Sequence, residues 1–481
     1  MRNAGLGSWP ARRARIAPAR DALTFDGVST TYAELADRTT RLARQLEQLG
    51  VGRGDRVAYL GPNHPSFAET MFAAHLLGAI FVPLNFRLTP AELNYQLADS
   101  GARVLIHAPS HRAEHQAAIS LDGYEEWLAA GSSAPLDVPV AIDDPALILY
   151  TSGTTGRPKG AVLSHANLLW NTFNLLVGAD LASDEVTLVT APLFHVAALT
   201  QTLLPTFIKG GRSVITPGWD IGECVALIEK YRVTYMFGVS TMYGDLAASP
   251  HWRTADLSSV RMLMCGGAAV PDAVIRTYQE RGLVFCQGYG LTETAPGATF
   301  LEAGDSVRKA GSAGVPVFFD DIRLAGNGEI EVQGPNVTPG YWNDPVATAA
   351  AFTDDGWFRT GDIGRLDDDG HLYVVDRVKD MYISGGENVY PAEVENVIAD
   401  HPDVAEVAVV GVPDARWGEV GRAFVRSRPG SALDAAGLRE FLLPRLAKYK
   451  IPVHVEVVAE LPRTGSGKVL KSALRRLPMN A

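Results

Sequence analysis

Short apolar runs alternate with stretches of helical periodicity along most of the chain, and that alternation gives the first reading of its fold. Residues 22–25 and 29–32 flank Asp26-Gly27, the signature of a hairpin. From Tyr32 to Leu49, Leu35, Leu42 and Leu46 recur at helical spacing, and the pattern stops at Gly50. Residues 57–60 read as a buried strand, 65–77 as a helix ending at Gly78, and 79–84 as another strand. A helix over 90–99 follows, with Thr89 as its N-cap, and then a strand over 104–107. Such β-α-β-α-β alternation is what a parallel α/β sheet requires.

The alternation resumes with residues 146–150 as a buried strand. Strand cores are expected at 188–191, 212–216, 235–238 and 263–265, with helices near 196–208, 220–231 and 271–281. From about 284 the pattern shortens, with strands at 322–324, 329–332 and 371–375 broken by Gly and Asp. That predicts a smaller β-rich subdomain. The charged segment 376–380 marks a boundary, and beyond it strands at 404–412 and 454–458 bracket a helix at 433–443. The predicted architecture is α/β: a large N-terminal domain (1–378) of two mainly parallel βα sheets plus the β-rich subdomain, then a small mobile α+β domain (379–481).

Composition narrows the class. A chain of 481 residues with 47% hydrophobic and 20% charged side chains is a globular protein of several domains. The net charge of -11 argues against a nucleic-acid surface, which needs a basic stripe, but not against a local phosphate site. Three cysteines (Cys224, Cys265, Cys286) form no C-x-x-C pair, which fits a reducing, cytoplasmic compartment without structural zinc. Residues 71–84, the longest apolar span, are too few for a membrane helix and include His75. Arg2, Arg12, Arg13, Arg15 and Arg20 precede or flank no acid before Asp21 and read as a basic first segment. Nine of the 43 Lys and Arg side chains are lysines, so a lysine at a glycine-rich turn draws attention to its compact ammonium.

Chemistry collects in a few segments. After the 146–150 run, Thr151, Ser152, Gly153, Thr154, Thr155, Gly156, Arg157, Lys159 and Gly160 place hydroxyls, glycines and cations together. Such a loop can aim successive N–H groups at the outer phosphates of a nucleotide, or it is an ordinary surface loop. No Ser or Thr follows Lys159, so the usual P-loop pattern does not fit. Gly266, Gly267 and Ala268 follow a strand and allow close backbone approach to a planar group; a tight turn is the plainer alternative. Gln287, Gly288, Tyr289, Gly290, Thr292 and Glu293 combine an aromatic face, a hydroxyl and one carboxylate, a donor suited to Mg²⁺ beside phosphates. Asp362 can accept both ribose hydroxyls. His195 sits in an apolar run where a core histidine is the commoner outcome. Lys468 is carried on a glycine-rich turn near the C-terminus.

Singly these are weak; their order is specific. Thr151 to Gly160, Gly288-Tyr-Gly-Leu-Thr-Glu293, Arg359-Thr-Gly-Asp362, Asp376-Arg-Val-Lys-Asp380 with Ser384 to Glu393, and Pro462-Arg-Thr-Gly-Ser-Gly-Lys468 run in the order of one family. From about residue 20 to 475 the chain resembles the adenylate-forming superfamily of acyl-CoA synthetases, luciferases and adenylation domains. It is most similar to bacterial fatty-acyl-CoA synthetases, through Phe194 to Leu199, Arg308 to Gly314 and Ile383 to Pro391.

The resemblance implies an AMP-forming ligase that uses ATP, Mg²⁺ and CoA, adenylating a carboxylic acid and passing the acyl group to the thiol. It assigns residues 151–159 to the β- and γ-phosphates, Gly266 to Ala268 with Tyr289 to adenine, Thr292 to the α-phosphate and Glu293 to Mg²⁺. Asp362 and Arg377 would hold the ribose, with Gln287 and Gly290 in the same ATP site, and Lys468 would bridge carboxylate and phosphate. Lys379 would be the hinge that exchanges Lys468 for Ser384, Gly385 and Gly386 at the thioester step. His195, Val239, Gly267, Gly288 and Ala295 would line the acyl pocket, His195 closing its carboxylate side. Two departures matter: residues 323–329 form a shortened hairpin, and Gly288 stands where malonate-activating relatives carry arginine. A medium- or long-chain fatty acid is the expected substrate. An aryl acid is the alternative, as is a non-CoA acceptor (a carrier protein, an amine, or nitrite activation for diazotisation). A nucleotide-binding protein without catalysis is disfavoured by Lys468, Glu293 and Asp362. The enzyme is expected to act as a monomer or homodimer with no integral membrane segment.

Overall fold

The computed structural model describes the chain apart from residues 1, 152–157, 268, 269, 271, 303, 378, 379, 385, 386, 415, 432, 447, 464–467 and 479–481, and gives backbone alone at 272, 376, 377, 387 and 388. It divides into two compact units, Met1–Ile322 with Val332–Phe358, and Arg323–Glu331 with Arg359–Ala481. The boundary expected at 378 and 379 falls within the second unit and outside the described residues.

Two sheets organise the first unit. In the seven-stranded one, Val104–His107, Arg56–Leu60, Ile80–Leu84 and Pro145–Thr151 run parallel, because helices carry the chain back between them. Those strands are apolar on both faces, as a parallel sheet covered on both sides demands. Pro145–Thr151 then turns into Lys159–Ser164 as an antiparallel hairpin, with Thr151 opposite Lys159, and the two-residue strand Gly340–Tyr341 completes that edge. The nine-stranded sheet has Arg212–Ile215, Val186–Val189, Tyr235–Gly238, Met262–Cys265 and Phe285–Gly290 parallel, with the Asp21–Phe25/Val28–Thr31 hairpin at one edge.

The helix signals hold in detail. Tyr32–Gln48 and Pro90–Ser100 both open on a capping box, Thr31 with Glu34 and Thr89 with Glu92. One expectation is corrected and two gain detail. Residues 285–300 do not begin a separate β-rich layer: Phe285–Gly290 extends the nine-stranded sheet, and Gly297–Phe300 pairs back on it antiparallel. Their glycines, read as strand breakers, permit close approach instead. The helix near 196–208 contains a π-helical turn at Leu199–Leu203, with Pro205 just beyond it. The basic first segment is built into the fold. Trp9 stacks near Phe207 at 6.4 Å, and Arg13 donates to the carbonyls of Phe207 and Ile208 at the C-terminal end of Leu204–Lys209. A cation there complements the helix dipole.

The second unit holds the antiparallel pair Phe358–Leu366 and Leu372–Arg377. It also holds a sheet of Glu387–Val389, Tyr382–Ser384, Gly418–Ser427 and Val404–Asp414, with His454–Val457 along Gly418–Ser427. Its core gathers Tyr382, Val409, Val425 and Leu438. Arg422, 1% exposed, lies over the Phe424 ring and donates to Glu456 Oε1 at 2.7 Å and to the carbonyls of Leu477 and Pro478 at 2.7 and 2.8 Å. Breaking a buried pair strands its partners, so Arg422→Ala should lower stability by about 3 kcal/mol. An earlier urea transition is the readout; an unshifted curve would show that the buried cation contributes nothing.

Candidate active site

In the first unit the candidate residues cluster at strand ends. Cys265 pairs with Gln287 across parallel strands, so the following backbones run side by side: a Cβ on Gly266 would lie 3.3 Å from the Gly288 carbonyl. Gly267 has φ +86°, a conformation that favours glycine, and a Cβ on it would lie 3.8 Å from Val239 Cγ1. Gln287 is buried and its amide lies 3.4 Å from the Ser312 carbonyl. Tyr289, half-buried, stands opposite Thr299.

The chain next turns sharply. Thr292–Thr294 is a single 3₁₀ turn, Ala295 follows at φ +62°, and Gly290 passes so close to the Pro296 carbonyl that no side chain fits. Glu293 is 7% exposed. Its carboxylate Oε1 accepts from the Tyr341 hydroxyl at 2.9 Å, and its carbonyl accepts from Thr338 N at 2.7 Å. Burial, then the Glu293 charge, pushes the Tyr341 phenol well above its ordinary range, so it stays a donor. The Lys159 ammonium lies over the same Tyr341 ring, 5.3 Å from its centre. The hairpin end Thr151/Lys159 and the Glu293 turn are thus brought to one place.

Residues absent from the sequence reading hold this arrangement. Asn336 Nδ2 donates to the carbonyls of Thr294 and Gly297 at 2.7 and 2.6 Å, and Asn171 Oδ1 accepts from Gly297 N at 3.0 Å. Asn63 donates to the Ala191 carbonyl at 3.0 Å and accepts from Leu193 N at 2.7 Å, fixing the loop before His195. Only the local sequence Gly334-Pro335-Asn336 hinted at any of these, as a turn. His195 itself is half-buried, its ring 4.4 Å from that of Phe194.

The acyl-pocket residues separate. Val239 borders a cluster of Phe237, Met242, Met264 and Phe300. A Cβ on Gly288 would meet Met264 Cε and the Thr299 carbonyl, each at 2.9 Å. Glycine at 288 is therefore a packing requirement, not simply open space. Ala295 is fully buried in the other, larger cluster with Leu193 and Val196 rather than beside Val239.

In the second unit Asp362, 7% exposed, stands opposite Arg377 across the Phe358–Leu366/Leu372–Arg377 pair, so the two ribose candidates are register partners. Gly361 N, with φ +72°, donates to Glu329 Oε1 at 3.0 Å, and Asp362 N to Thr360 Oγ1 at 3.1 Å. Lys468 is exposed on a loop closed by the Arg463–Val469 bridge and the Leu470 N to Pro462 carbonyl bond at 2.7 Å. Ser384 is buried opposite Gly418. Ser152, Gly153, Thr154, Thr155, Gly156, Ala268, Lys379, Gly385 and Gly386 lie outside the described residues.

Comparison with known proteins completes the assignment. Residues 10–342 match the AMP-binding enzyme family and residues 393–468 the AMP-binding enzyme C-terminal domain, so the chain belongs to the AMP-binding enzymes. Feruloyl-CoA synthases from Amycolatopsis sp and Streptomyces sp are each 54% identical to it, covering 99% of both chains. A long-chain-fatty-acid–CoA ligase of Mycobacterium tuberculosis is 39% identical, over 99% of this chain and 98% of its own. The o-succinylbenzoate CoA synthetase of Bacillus subtilis, solved with an acyl-adenylate, superposes with a TM-score of 0.92 at 34% identity, covering 98% of this chain and 99% of that one. The same enzyme was solved with ATP and magnesium ion (TM-score 0.89, 34% identity, 97% and 99% covered). The chain is an AMP-forming, ATP-dependent acid–CoA ligase, whose substrates are a carboxylic acid and CoA. No helix among the described residues is long and apolar enough to cross a membrane.

Behind the Glu293 turn lies a buried acid. Asp320 accepts from Asn174 Nδ2 at 3.2 Å, and burial pushes its pKa up to about 7, the Asn336 and Asn174 amides offsetting part of the rise. An aspartate in the unfolded chain titrates near pKa ~3.9. Between these values the folded state holds a proton that the unfolded state has lost. Stability from this group is therefore complete below about pH 4 and falls as pH rises through 7. Asp320→Asn should flatten that slope: its melting temperature should gain on the wild type between pH 5 and pH 8. Parallel curves would remove Asp320 as the titrating group.

Proposed function

We propose that this enzyme activates an aryl acid of the hydroxycinnamate class. The 54% identity to feruloyl-CoA synthases over essentially the whole chain carries the reading, against 39% to the fatty-acyl ligase. It displaces the fatty-acid expectation. The site agrees with it: the backbones of Gly266, Gly267 and Gly288 lie edge to edge beside an aromatic and thioether cluster, which suits a flat ring.

In the adenylation step a carboxylate oxygen attacks the α-phosphorus of ATP and the bond to pyrophosphate breaks. An anion must approach a polyanion, so cations have to offset the repulsion as charge redistributes. Residues 151–159 hold the β- and γ-phosphates, Thr292 the α-phosphate, and Lys468 bridges attacking and attacked oxygens. Tyr289 and Gly266 to Ala268 hold adenine, with Gln287 and Gly290 beside them, and Asp362 with Arg377 takes the ribose. Glu293, a buried hard-oxygen donor, fits Mg²⁺. Bound there, Mg²⁺ would neutralise phosphate charge. His195 closes the carboxylate side of the pocket. In the second step the CoA sulfur attacks the acyl carbon and AMP leaves with the bonding pair. Ser384 to Gly386 serve that step after Lys468 withdraws about Lys379.

The decisive measurement is pyrophosphate release over a panel of acids, with and without CoA, and mass analysis of the products. Hydroxycinnamates should exceed medium- and long-chain fatty acids by roughly tenfold or more in kcat/KM. The reverse order restores the fatty-acid reading, and release without thioester points to another acceptor. Lys468→Ala should abolish adenylation yet leave thioester formation from supplied acyl-adenylate within a few-fold of wild type. Equal loss in both steps would overturn the exchange of Lys468 for Ser384 to Gly386.

A further inference from the structure

We propose that Tyr341 is a positioning residue that couples the two halves of the phosphate site, its ring seating the Lys159 ammonium and its hydroxyl fixing the Glu293 carboxylate. The proposal rests on the reading of Lys159 as a phosphate cation and Glu293 as the Mg²⁺ ligand.

Three observations carry it. The hydroxyl donates to Glu293 Oε1 at 2.9 Å, engaging one carboxylate oxygen and orienting the other. The Lys159 nitrogen lies 5.3 Å from the centre of the same ring. And the tyrosine is held rigidly. Its strand pairs Tyr341 with Ala161 and Gly340 with Val162, Tyr341 N donates to Thr348 Oγ1 at 2.9 Å, and Trp342 N donates to the Gly160 carbonyl at 2.7 Å.

The two contacts reinforce each other. Donation to a carboxylate enriches the ring in electron density, which strengthens its hold on a cation. A cation over the ring in turn makes the phenol a better donor. A direct ion pair between lysine and glutamate would take each from its phosphate or metal. The tyrosine gives each a partner of its own, the ring for the lysine and the hydroxyl for the glutamate.

The test separates ring from hydroxyl. ATP binding to the full-length protein is measured calorimetrically, without any acid substrate, in EDTA and across a Mg²⁺ titration. Tyr341→Phe keeps the ring. It should raise the Mg²⁺ concentration for half-maximal tightening roughly tenfold, the scale for loss of a contact that orients a metal ligand, and weaken Mg²⁺-free ATP binding less than Tyr341→Leu does. Tyr341→Leu should show the same shift and also weaken Mg²⁺-free ATP binding several-fold, through Lys159. In a Glu293→Gln background, Tyr341→Phe should add nothing. If Tyr341→Phe has the wild-type Mg²⁺ titration while Glu293→Gln shifts it, the hydroxyl has no positioning role and the proposal fails. If Tyr341→Leu matches Tyr341→Phe in EDTA, the Lys159 half fails. If Glu293→Gln leaves the titration unchanged, the metal reading of Glu293 falls first and takes the proposal with it.

Discussion

One short segment, residues 335–342, holds the first unit's site together. The Pro145–Thr151/Lys159–Ser164 hairpin belongs to the seven-stranded sheet, whereas Met262–Cys265, Phe285–Gly290 and the Glu293 turn belong to the nine-stranded sheet. Separate sheets give no hydrogen-bond ladder between them, so their relative register needs another source. The segment supplies it from both sides. Toward the hairpin, Thr338 Oγ1 donates to the Val162 carbonyl and Trp342 N to that of Gly160. Toward the turn, Asn336 holds the carbonyls of Thr294 and Gly297, and Thr338 N holds that of Glu293. Asn167 then fixes the segment itself, donating to the carbonyls of Pro335 and Val337 at 2.9 Å each.

Hydrogen bonding suits this task better than apolar packing would. A packed interface tolerates sliding of a fraction of an ångström. A set of directed bonds to carbonyls does not, since each weakens steeply off its line. Polar atoms buried so deeply cost free energy unless satisfied, and the segment satisfies nearly all of them with backbone partners. The exceptions are Asn336 Oδ1 and, on a residue outside the segment, Asp320 Oδ2; both side chains lie beside the position a Cβ on Gly334 would occupy. They make the rear of this junction the place where its stability depends on protonation.

Much of the fold was legible because it is locally encoded. Thr31 and Thr89 announce their helices through residues three positions on, and strands such as 104–107 are apolar runs of the right length. The site segments were legible through residue order along the chain. What failed needed contacts distant in sequence. Residues 285–300 look broken by glycine, but Gly288 and Gly290 are glycine because the Thr299 and Pro296 carbonyls press against them. The helix His165–Gly178 buries Asn167, Asn171, Thr172 and Asn174 beside Leu168 and Leu175 while Val177 is exposed, and so lacks the one-sided apolar stripe that marks a helix. Asn63, Asn171 and Asn336 act across 128, 126 and 42 residues, and no local pattern distinguishes them from ordinary turn asparagines.

Gly288 carries a constraint of space as well as one of charge. With glycine there, the sequence offers no cation at that position for a second carboxylate. The structure adds that a side chain at 288 would collide with backbone as well as with Met264. An arginine at 288 would therefore require the neighbouring strand to move. A substitution at this position is then a change of strand spacing, not of one side chain. The spacing of Gly297–Phe300 against Phe285–Gly290 is held by the same Asn171 and Asn336 bonds to Gly297 that place the Glu293 turn. Strand spacing at Gly288 and the position of the Glu293 carboxylate share one support.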